Sequence, residues 1–265
     1  MSLLHVTNLY LYPVKSFAGS PMDQLRVNCW GPEGDRRYML VDAAGKFVTG
    51  RKFPKMVLFR VQREGVELVI KAPDGDQVVI SFPEQPESLQ VQVWQDKVLA
   101  KLASPSVNDW LSQQIGEDVR LVHMPDSSFR QVDRDYYAAD QRVAFSDAYP
   151  FLVTNQASLG ELNTRLEEPV SMQRFRPNIV VDGDVPWEED SWSKLRIGTV
   201  EFAVVKPCSR CVFTTVDPIS AEKGKEPLRT LAQYRRTELG VIFGQNLVQL
   251  NTGVIAVGDV VEVFE

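Results

Sequence analysis

The chain has 265 residues, 44% of them apolar, so it can bury a sizeable core in one large domain or two small ones. Its formal net charge of −6 argues against nucleic acid as a partner, because phosphate binding needs a surplus of Lys and Arg. The sequence shows no apolar run of the roughly 20 residues that span a bilayer and no signal-peptide pattern. We therefore expect a cytoplasmic protein with reduced thiols and no membrane partner.

Short strands are predicted over the first hundred residues, where β-branched and aromatic residues are punctuated by Gly, Pro and Asp. Their spacing is typical of an all-β barrel or sandwich and not of alternating βαβ units. The predicted strands are His5–Tyr12, Tyr38–Asp42, Val57–Gln62, Leu68–Lys71, Val78–Phe82 and Leu89–Trp94.

One helix follows these strands. Ser104-Pro105 is a start signal, apolar residues recur on one helical face up to Ile115, and Gly116 is a stop signal. The polar segment from Pro125 to Asp140 has no clear period and is predicted to be a loop or linker. We expect an N-terminal β domain over residues 1–120 and a second domain over residues 121–265, with the first strand able to contribute to a site in the second.

The second half is also predicted to be mainly β, with helices after the cap residue Asn155 and from Pro227 to Arg235. Phe243–Asn246 is interpreted as a turn that carries two side-chain amides. The fold class is therefore mainly β with a few helices, an N-terminal barrel-like subdomain and a C-terminal barrel. The predicted strands are Phe151–Thr154, Ile179–Val181, Leu195–Ile197, Val200–Val205, Val212–Val216, Val248–Leu250, Val254–Ala256 and Val260–Phe264.

The segment Cys208-Ser209-Arg210-Cys211 has three ordinary interpretations. Zinc needs four ligands, whereas the remaining cysteine, Cys29, and the two histidines are isolated in the sequence. A redox dithiol sits at a helix N-terminus, and the β-branched run Val212–Val216 favours a strand instead. Two buried thiols that only pack are the third interpretation, which suits Cys208. Cys211 stands beside Arg210, and a cation stabilises a thiolate, which is what a soft metal needs from a protein.

Cationic, hydroxyl and amide residues stand at predicted strand ends and turns, where a β scaffold displays ligand contacts. Lys, Arg and hydroxyl groups hold phosphate, and amides suit a flat heterocycle. Taken singly, each is more often an exposed charge or a turn residue. These residues are Lys15, Ser16, Arg36, Arg176, Asn178 and Asn246.

Together these segments resemble the MOSC-domain proteins with an N-terminal MOSC β-barrel, including the bacterial YcbX-like proteins and the mitochondrial amidoxime-reducing components. The resemblance spans nearly the whole chain and keeps the order of the motifs. The segments that carry it are Tyr12–Ser16, Gly34–Arg36, Phe47–Arg51, Phe145–Asp147, Ala157–Leu159, Phe175–Asn178, Cys208–Cys211 through Pro218, Phe243–Asn246 and Val257–Asp259.

The resemblance implies a molybdenum cofactor, which is a pterin dithiolene with a terminal phosphate, and a C-terminal MOSC β-barrel. It implies that Cys211 ligates molybdenum and is the catalytic residue. Ala148 and Tyr149 depart from the hydroxyl pair of the mitochondrial members, and Asn246 replaces their Tyr. The cofactor-binding residues that it implies are Lys15, Ser16, Arg36, Asp147, Arg176, Asn178, Ser209, Arg210, Cys211 and Asn246.

The resemblance also implies an oxidoreductase that reduces N-hydroxylated compounds, such as amidoximes and hydroxylaminopurines, with electrons from a partner. The chain has no further cysteines for an iron–sulfur cluster. Two sources of electrons stay open, a separate ferredoxin or flavoprotein donor and a 2Fe-2S domain outside this sequence. The alternative to an enzyme is a non-catalytic module that binds or carries the cofactor or sulfur.

Overall fold

Strands dominate the chain, and the predicted fold class, mainly β with a few helices, is confirmed. The structure, a computed structural model, describes residues 3–137 and 140–264. The strands of the first half are β1 (Leu4–Leu11), β2 (Ser20–Met22), β3 (Gln24–Asn28), β4 (Gly31–Pro32), β5 (Tyr38–Val41), β6 (Arg60–Glu64), β7 (Glu67–Lys71), β8 (Gln77–Val79), β9 (Ser88–Val93), β10 (Asp96–Leu102) and β11 (Arg120–His123).

The second half is built in the same way, with helices placed between strands. Its strands are β12 (Phe151–Asn155), β13 (Ile179–Val181), β14 (Lys194–Ile197), β15 (Val200–Ser209), β16 (Arg236–Thr237), β17 (Gly240–Gln249), β18 (Gly253–Ala256) and β19 (Val260–Phe264). The α-helices of the chain are α1 (Pro105–Ile115), α2 (Gln156–Thr164) and α3 (Leu228–Tyr234). Short 3-10 helices cover Pro54–Leu58, Met172–Phe175, Glu188–Asp190 and Val212–Thr215.

A closed barrel forms the centre of the second half. Within the described residues its seven strands run in the order β12, β13, β1, β19, β14, β15 and β17, and β17 pairs with β12 to close the ring. Closure leaves no unpaired edge strand in the ring. The interior is apolar, and Phe151 and Phe202 pack edge to face at 5.1 Å inside it. The first strand of the chain therefore belongs to the barrel, because β1 pairs with β13 on one side and β19 on the other.

The first half contributes smaller sheets and a second apolar core, while Leu25 and Val27 of β3 pack into the barrel core. One sheet has the order β5, β11, β10 and β9, another the order β6, β7 and β8, and a third joins β18 to β3 and β4. Helix α1 covers this core with the buried residues Val107, Leu111 and Ile115. Its bounds follow the prediction, because Pro105 occupies its first turn and Gly116 ends it with a φ of 78°.

The predicted strand Val212–Val216 is wrong, since Val212–Thr215 forms a 3-10 helix that begins after Cys211. Threonine side chains explain the difference. Thr214 Oγ1 donates to the carbonyl of Cys211 at 2.9 Å and Thr215 Oγ1 donates to that of Val212 at 2.8 Å. Such local hydrogen bonds compete with a sheet ladder. The strand that precedes the thiol motif is instead β15, which continues to Ser209.

The predicted turn at Phe243–Asn246 is also wrong, because these residues lie inside β17. Gly244 has a φ of 75°, so the strand bends there without ending. Val57–Gln62 likewise divides, since a 3-10 helix runs to Leu58 and β6 begins at Arg60. The sequence analysis predicted no strand at β2, β3, β4, β10, β11 or β16.

The predicted loop from Pro125 to Asp140 contains only turns and a single bridge, between Gln131 and Arg142, in its described part. Residues 138 and 139 of that prediction lie outside the described residues. Across the described chain, none of the helices is long and apolar enough to cross a membrane. The division of the chain at residue 120 stays a prediction.

Candidate functional site

The site residues predicted from the sequence line one cavity of about 390 Å³. The antiparallel pairing of β1 with β13 and the parallel pairing of β13 with β12 put the segment after β1 beside the segments before β12 and β13. The last residues of β15 and the segment after it line the same cavity. The predicted residues that line the cavity are Lys15, Ser16, Arg36, Asp147, Arg176, Asn178, Ser209, Arg210, Cys211 and Asn246. Their roles as cofactor-binding residues stay predictions.

Left-handed backbone marks four residues of the cavity wall. Ser16, Arg36, Trp94 and Arg176 have φ values of 71°, 46°, 54° and 57°. Non-glycine residues adopt this region at a cost of about 1–3 kcal/mol and keep it only where the surroundings fix it. Local strain is therefore concentrated at the cavity, as is usual for a functional site.

A buried hydrogen-bond network fixes Arg36. Its Nη1 contacts Asp35 Oδ2 at 2.5 Å and Asn178 Oδ1 at 3.1 Å, and its Nη2 donates to the carbonyl of Arg176 at 3.2 Å. Burial raises the pKa of Asp35, and the Arg36 guanidinium opposes that rise. Asn178, 1% exposed, donates from Nδ2 to Asp35 Oδ1 at 3.2 Å and to the carbonyl of Tyr10. Asn178 thus holds Asp35 and Arg36 in this hydrogen-bond network. Asp35 was not among the site residues predicted from the sequence.

Lys15 forms an ion pair across the cavity wall. Its side chain is 7% exposed, and Nζ contacts Asp147 Oδ1 at 2.5 Å and the carbonyl of Phe145 at 2.7 Å. Burial lowers the pKa of Lys15, while the Asp147 carboxylate acts against that shift. Trp94 Nε1 also donates to Asp147, at 3.2 Å. The carboxylate therefore joins a residue after β1 to the turn between β9 and β10.

Arg176 differs from its neighbours because no hydrogen-bond acceptor in the described chain contacts its guanidinium. Its Nη2 is buried without a partner, and the group lies over the rings of Tyr12 at 4.3 Å and Phe213 at 5.5 Å. Burial lowers its pKa to about 10. The guanidinium thus has hydrogen-bond donors free for a ligand in the cavity.

The two thiols of the Cys-x-x-Cys motif contact different arginines. Arg210 Nη1 lies 2.8 Å from Cys208 Sγ, whereas the cation near Cys211 Sγ is Arg51, whose Nη1 is 3.9 Å away. The expectation that Arg210 serves Cys211 is therefore wrong, and the idea that Cys208 only packs overlooks its arginine. Arg210 is next to Cys211 in the sequence but does not contact its thiol, because the Arg210 side chain extends back to Cys208 and to the carbonyl of Phe175.

Asn246 sits on β17 opposite Lys206 of β15. Its Nδ2 donates to the carbonyl of Lys206 at 3.2 Å and to that of Pro207 at 3.4 Å. This amide therefore holds the end of β15 that leads into the thiol motif.

Cavity residues that the sequence analysis left out of the site come from both halves of the chain. Arg51 belongs to a motif quoted for the family resemblance, yet its proximity to Cys211 joins positions 160 residues apart. Its guanidinium stacks on the ring of Trp94 at 4.5 Å. Gly50 beside it packs closely against the second half, since a Cβ there would lie 2.3 Å from the Phe213 ring. The further lining residues outside the predicted set include Thr49, Arg51, Trp94, Arg174, Lys206, Cys208, Phe213 and Thr214.

The cavity is strongly basic although the chain is acidic. Its described lining holds seven cationic side chains and one carboxylate, Asp147. Carboxylates behind the wall neutralise Arg174 and Lys206, at 2.8 Å and 3.2 Å. Three guanidiniums, those of Arg51, Arg176 and Arg210, have no carboxylate within 4.0 Å in the described chain. Such a set favours an anionic ligand. The seven cations are Lys15, Arg36, Arg51, Arg174, Arg176, Lys206 and Arg210.

Known proteins are similar to this chain over nearly its whole length. Residues 140–262 match the MOSC domain, and residues 3–118 match the MOSC N-terminal beta barrel domain. Mitochondrial amidoxime-reducing component 1 of Homo sapiens is 34% identical over 273 residues, covering 96% of this chain and 81% of that protein. The Mus musculus protein of the same name is 35% identical over 274 residues, covering 96% and 80%. Component 2 of Homo sapiens is 34% identical over 274 residues, covering 96% and 82%.

The expected cytoplasmic location is wrong by this comparison, because these relatives are named mitochondrial proteins. That expectation rested on the lack of a secretory pattern, which carries no information about mitochondria. The resemblance drawn from the motifs is confirmed. The chain belongs to the family of MOSC-domain proteins that includes the mitochondrial amidoxime-reducing components.

Proposed function

We propose that this protein is an oxidoreductase that reduces N-hydroxylated compounds, such as amidoximes, by means of a molybdenum cofactor held in the basic cavity. The names of the relatives support the reaction class. The observation that carries the proposal is the Arg176 guanidinium, whose Nη2 is buried and which has no hydrogen-bond acceptor in the described chain. An unpaired buried charge is costly, and an anionic ligand would supply its missing partner.

The residues present fit such a group at its phosphate and pterin ends. Arg176 and the buried Nε of Arg210 are donors without an acceptor in the described chain, and Ser16, 5% exposed, adds a hydroxyl. Arg36 is already aligned by Asp35 and therefore needs little reorganisation when a ligand binds. These side chains would bind the charged and polar edges of the cofactor.

The thiol of Cys211 fits the metal end. It lines the same cavity and is partly exposed. A thiolate is a soft ligand, which suits a metal that is already bound by sulfur. When bound, the cofactor supplies the two electrons that, with two protons, convert an N–OH group into N–H and water. Arg51 and Trp94 form the wall next to the thiol and would orient the substrate there.

Electrons must reach the site from another redox centre, because the reaction consumes two of them in each turnover. We propose a separate donor protein of the ferredoxin or flavoprotein type, or a 2Fe-2S domain outside this sequence. The substrate is a small N-hydroxylated molecule, and detoxification of such compounds is the biological role that this chemistry suits.

The test compares two cysteines in protein purified from a host that makes the cofactor. Cys211→Ala removes the proposed metal ligand, while Cys29→Ala removes an exposed thiol that is absent from the cavity lining. We expect Cys211→Ala to lose benzamidoxime reduction with an artificial donor and most of its molybdenum, and Cys29→Ala to match the wild type in both. Metal content is measured by mass spectrometry and turnover by product analysis.

Two outcomes would overturn parts of this proposal. Molybdenum and activity that persist unchanged in Cys211→Ala would remove the role given to that thiol. Stoichiometric cofactor without turnover under any donor would favour the carrier or binding module over the enzyme.

A further inference from the structure

Tyr12 is a buried aromatic residue that contacts two cations of the cavity wall. Its side chain is 1% exposed. The guanidinium of Arg36 lies 4.2 Å from its ring centroid and that of Arg176 lies 4.3 Å from it. One ring therefore faces two like charges at cation–π distance.

The two arginines depend on the ring to different degrees. Arg36 is also held by Asp35 and Asn178, whereas the Arg176 guanidinium has no hydrogen bond in the described chain. The guanidinium of Arg176 is therefore fixed by cation–π contacts with two aromatic rings, and the Tyr12 ring is closer than the Phe213 ring. The ring's negative face also offsets repulsion between the two guanidiniums.

The hydroxyl of Tyr12 contributes nothing comparable. Tyr12 Oη is buried and has no hydrogen-bond partner in the described chain. The ring itself is tightly enclosed, because a Cβ at Gly19 would lie 2.3 Å from its Cε1 atom. The position therefore uses the aromatic face of the tyrosine, and its orientation is fixed by close packing.

We infer that Tyr12 is a positioning residue whose ring holds Arg36 and Arg176 toward an anionic group of the bound ligand. The inference rests on the proposed function for the identity of that ligand, but the arrangement itself applies to any phosphate-like anion. Without the Tyr12 ring, the Arg176 guanidinium would keep only the more distant Phe213 ring, at 5.5 Å, and would lose the closer contact that fixes its direction.

The experiment compares Tyr12→Phe, which keeps the ring, with Tyr12→Leu, which removes it. Phe17→Leu is the matched control, since Phe17 is equally buried and contacts no cation in the described chain. Two quantities are measured, the molybdenum content of protein from a cofactor-competent host and the Kd of inorganic pyrophosphate for cofactor-free protein by calorimetry. Urea unfolding of each variant shows that it folds.

We expect Tyr12→Phe and Phe17→Leu to bind pyrophosphate within about twofold of the wild type, and Tyr12→Leu to bind it at least about tenfold more weakly. Molybdenum content should fall in the same order. A folded Tyr12→Leu that binds as the wild type does, or a Tyr12→Phe that loses as much as Tyr12→Leu, would overturn the inference. If Tyr12→Leu fails to fold, Tyr12→Met takes its place. Weakened pyrophosphate binding in Tyr12→Met beside wild-type binding in Tyr12→Phe would support the inference, and wild-type binding in a folded Tyr12→Met would overturn it.

The failure of the proposed function gives a different result. Wild-type protein that takes up no molybdenum, yet binds pyrophosphate in a manner that depends on the ring at position 12, would keep the positioning role and overturn the cofactor. Wild-type protein that binds neither would overturn both.

Discussion

Arg176 combines several unfavourable features in a single residue. Its backbone is left-handed with a φ of 57°, and the Nη2 of its half-buried side chain is buried without a hydrogen-bond partner in the described chain. Burial lowers its pKa to about 10, which still leaves it charged at neutral pH. A protein keeps such a residue when the charge is used in binding, because stability alone favours its removal.

Arg176→Met should therefore separate stability from binding. Methionine keeps the left-handed strain and most of the volume but removes the buried charge, so we expect the free energy of unfolding of cofactor-free protein to rise by about 1 kcal/mol. Pyrophosphate affinity should fall at least about tenfold. Arg26→Met, which breaks an exposed ion pair with Glu33, is the control and should change neither quantity. Urea denaturation and calorimetry check both expectations, and a large loss of stability in Arg176→Met would contradict the argument.

At the scale of elements, β17 shows how a strand can be bent beside a cavity. Gly244 takes a φ of 75° two residues before Asn246, and a Cβ there would lie 2.7 Å from the carbonyl oxygen of Val153 on β12. The glycine thus serves both the bend and the close approach of the two strands that close the barrel.

Gly244→Ala should destabilise the protein by about 3 kcal/mol, because it adds a backbone collision to the cost of positive φ. Gly258→Ala is the matched control, with a φ of 90° and no atom within 4 Å of the added Cβ, and should cost only about 1 kcal/mol. Urea denaturation of both variants measures the difference. Equal losses in the two would show that conformation alone, and not the contact with Val153, requires a glycine in β17.

Local sequence predicts some elements of this fold and not others. Helix α1 was predicted to its bounds because Pro105 and Gly116 act through their own backbone. The 3-10 helix after Cys211 was missed because threonine hydroxyls satisfied carbonyls that a strand would pair. Family motifs identified ten residues that line the cavity. Contacts between distant positions, such as Arg51 with Cys211, depend on the folded chain and carry no local signal.

For the whole molecule, β1 is a strand that joins the two halves, as β3 is through its pairing with β18. It lies in the first twelve residues, yet it pairs with β13 and β19 of the barrel and with β2 of the first half. Val6 of β1, 1% exposed, belongs to the barrel core. Removing β1 would open the barrel and expose two unpaired edges, so the second half depends on the first for its fold.

We therefore expect a single cooperative unfolding transition. Trp110 packs against the core of the first half and Trp192 lies in the barrel core, so variants that keep one of these tryptophans report each half separately. Val6→Ala in β1 and Val61→Ala in β6 should each lower stability by roughly 2 kcal/mol and shift both reporters together. Urea titrations followed by tryptophan fluorescence provide the measurement. Two units divided near residue 120 would instead let Val6→Ala move only the Trp192 transition and Val61→Ala only that of Trp110.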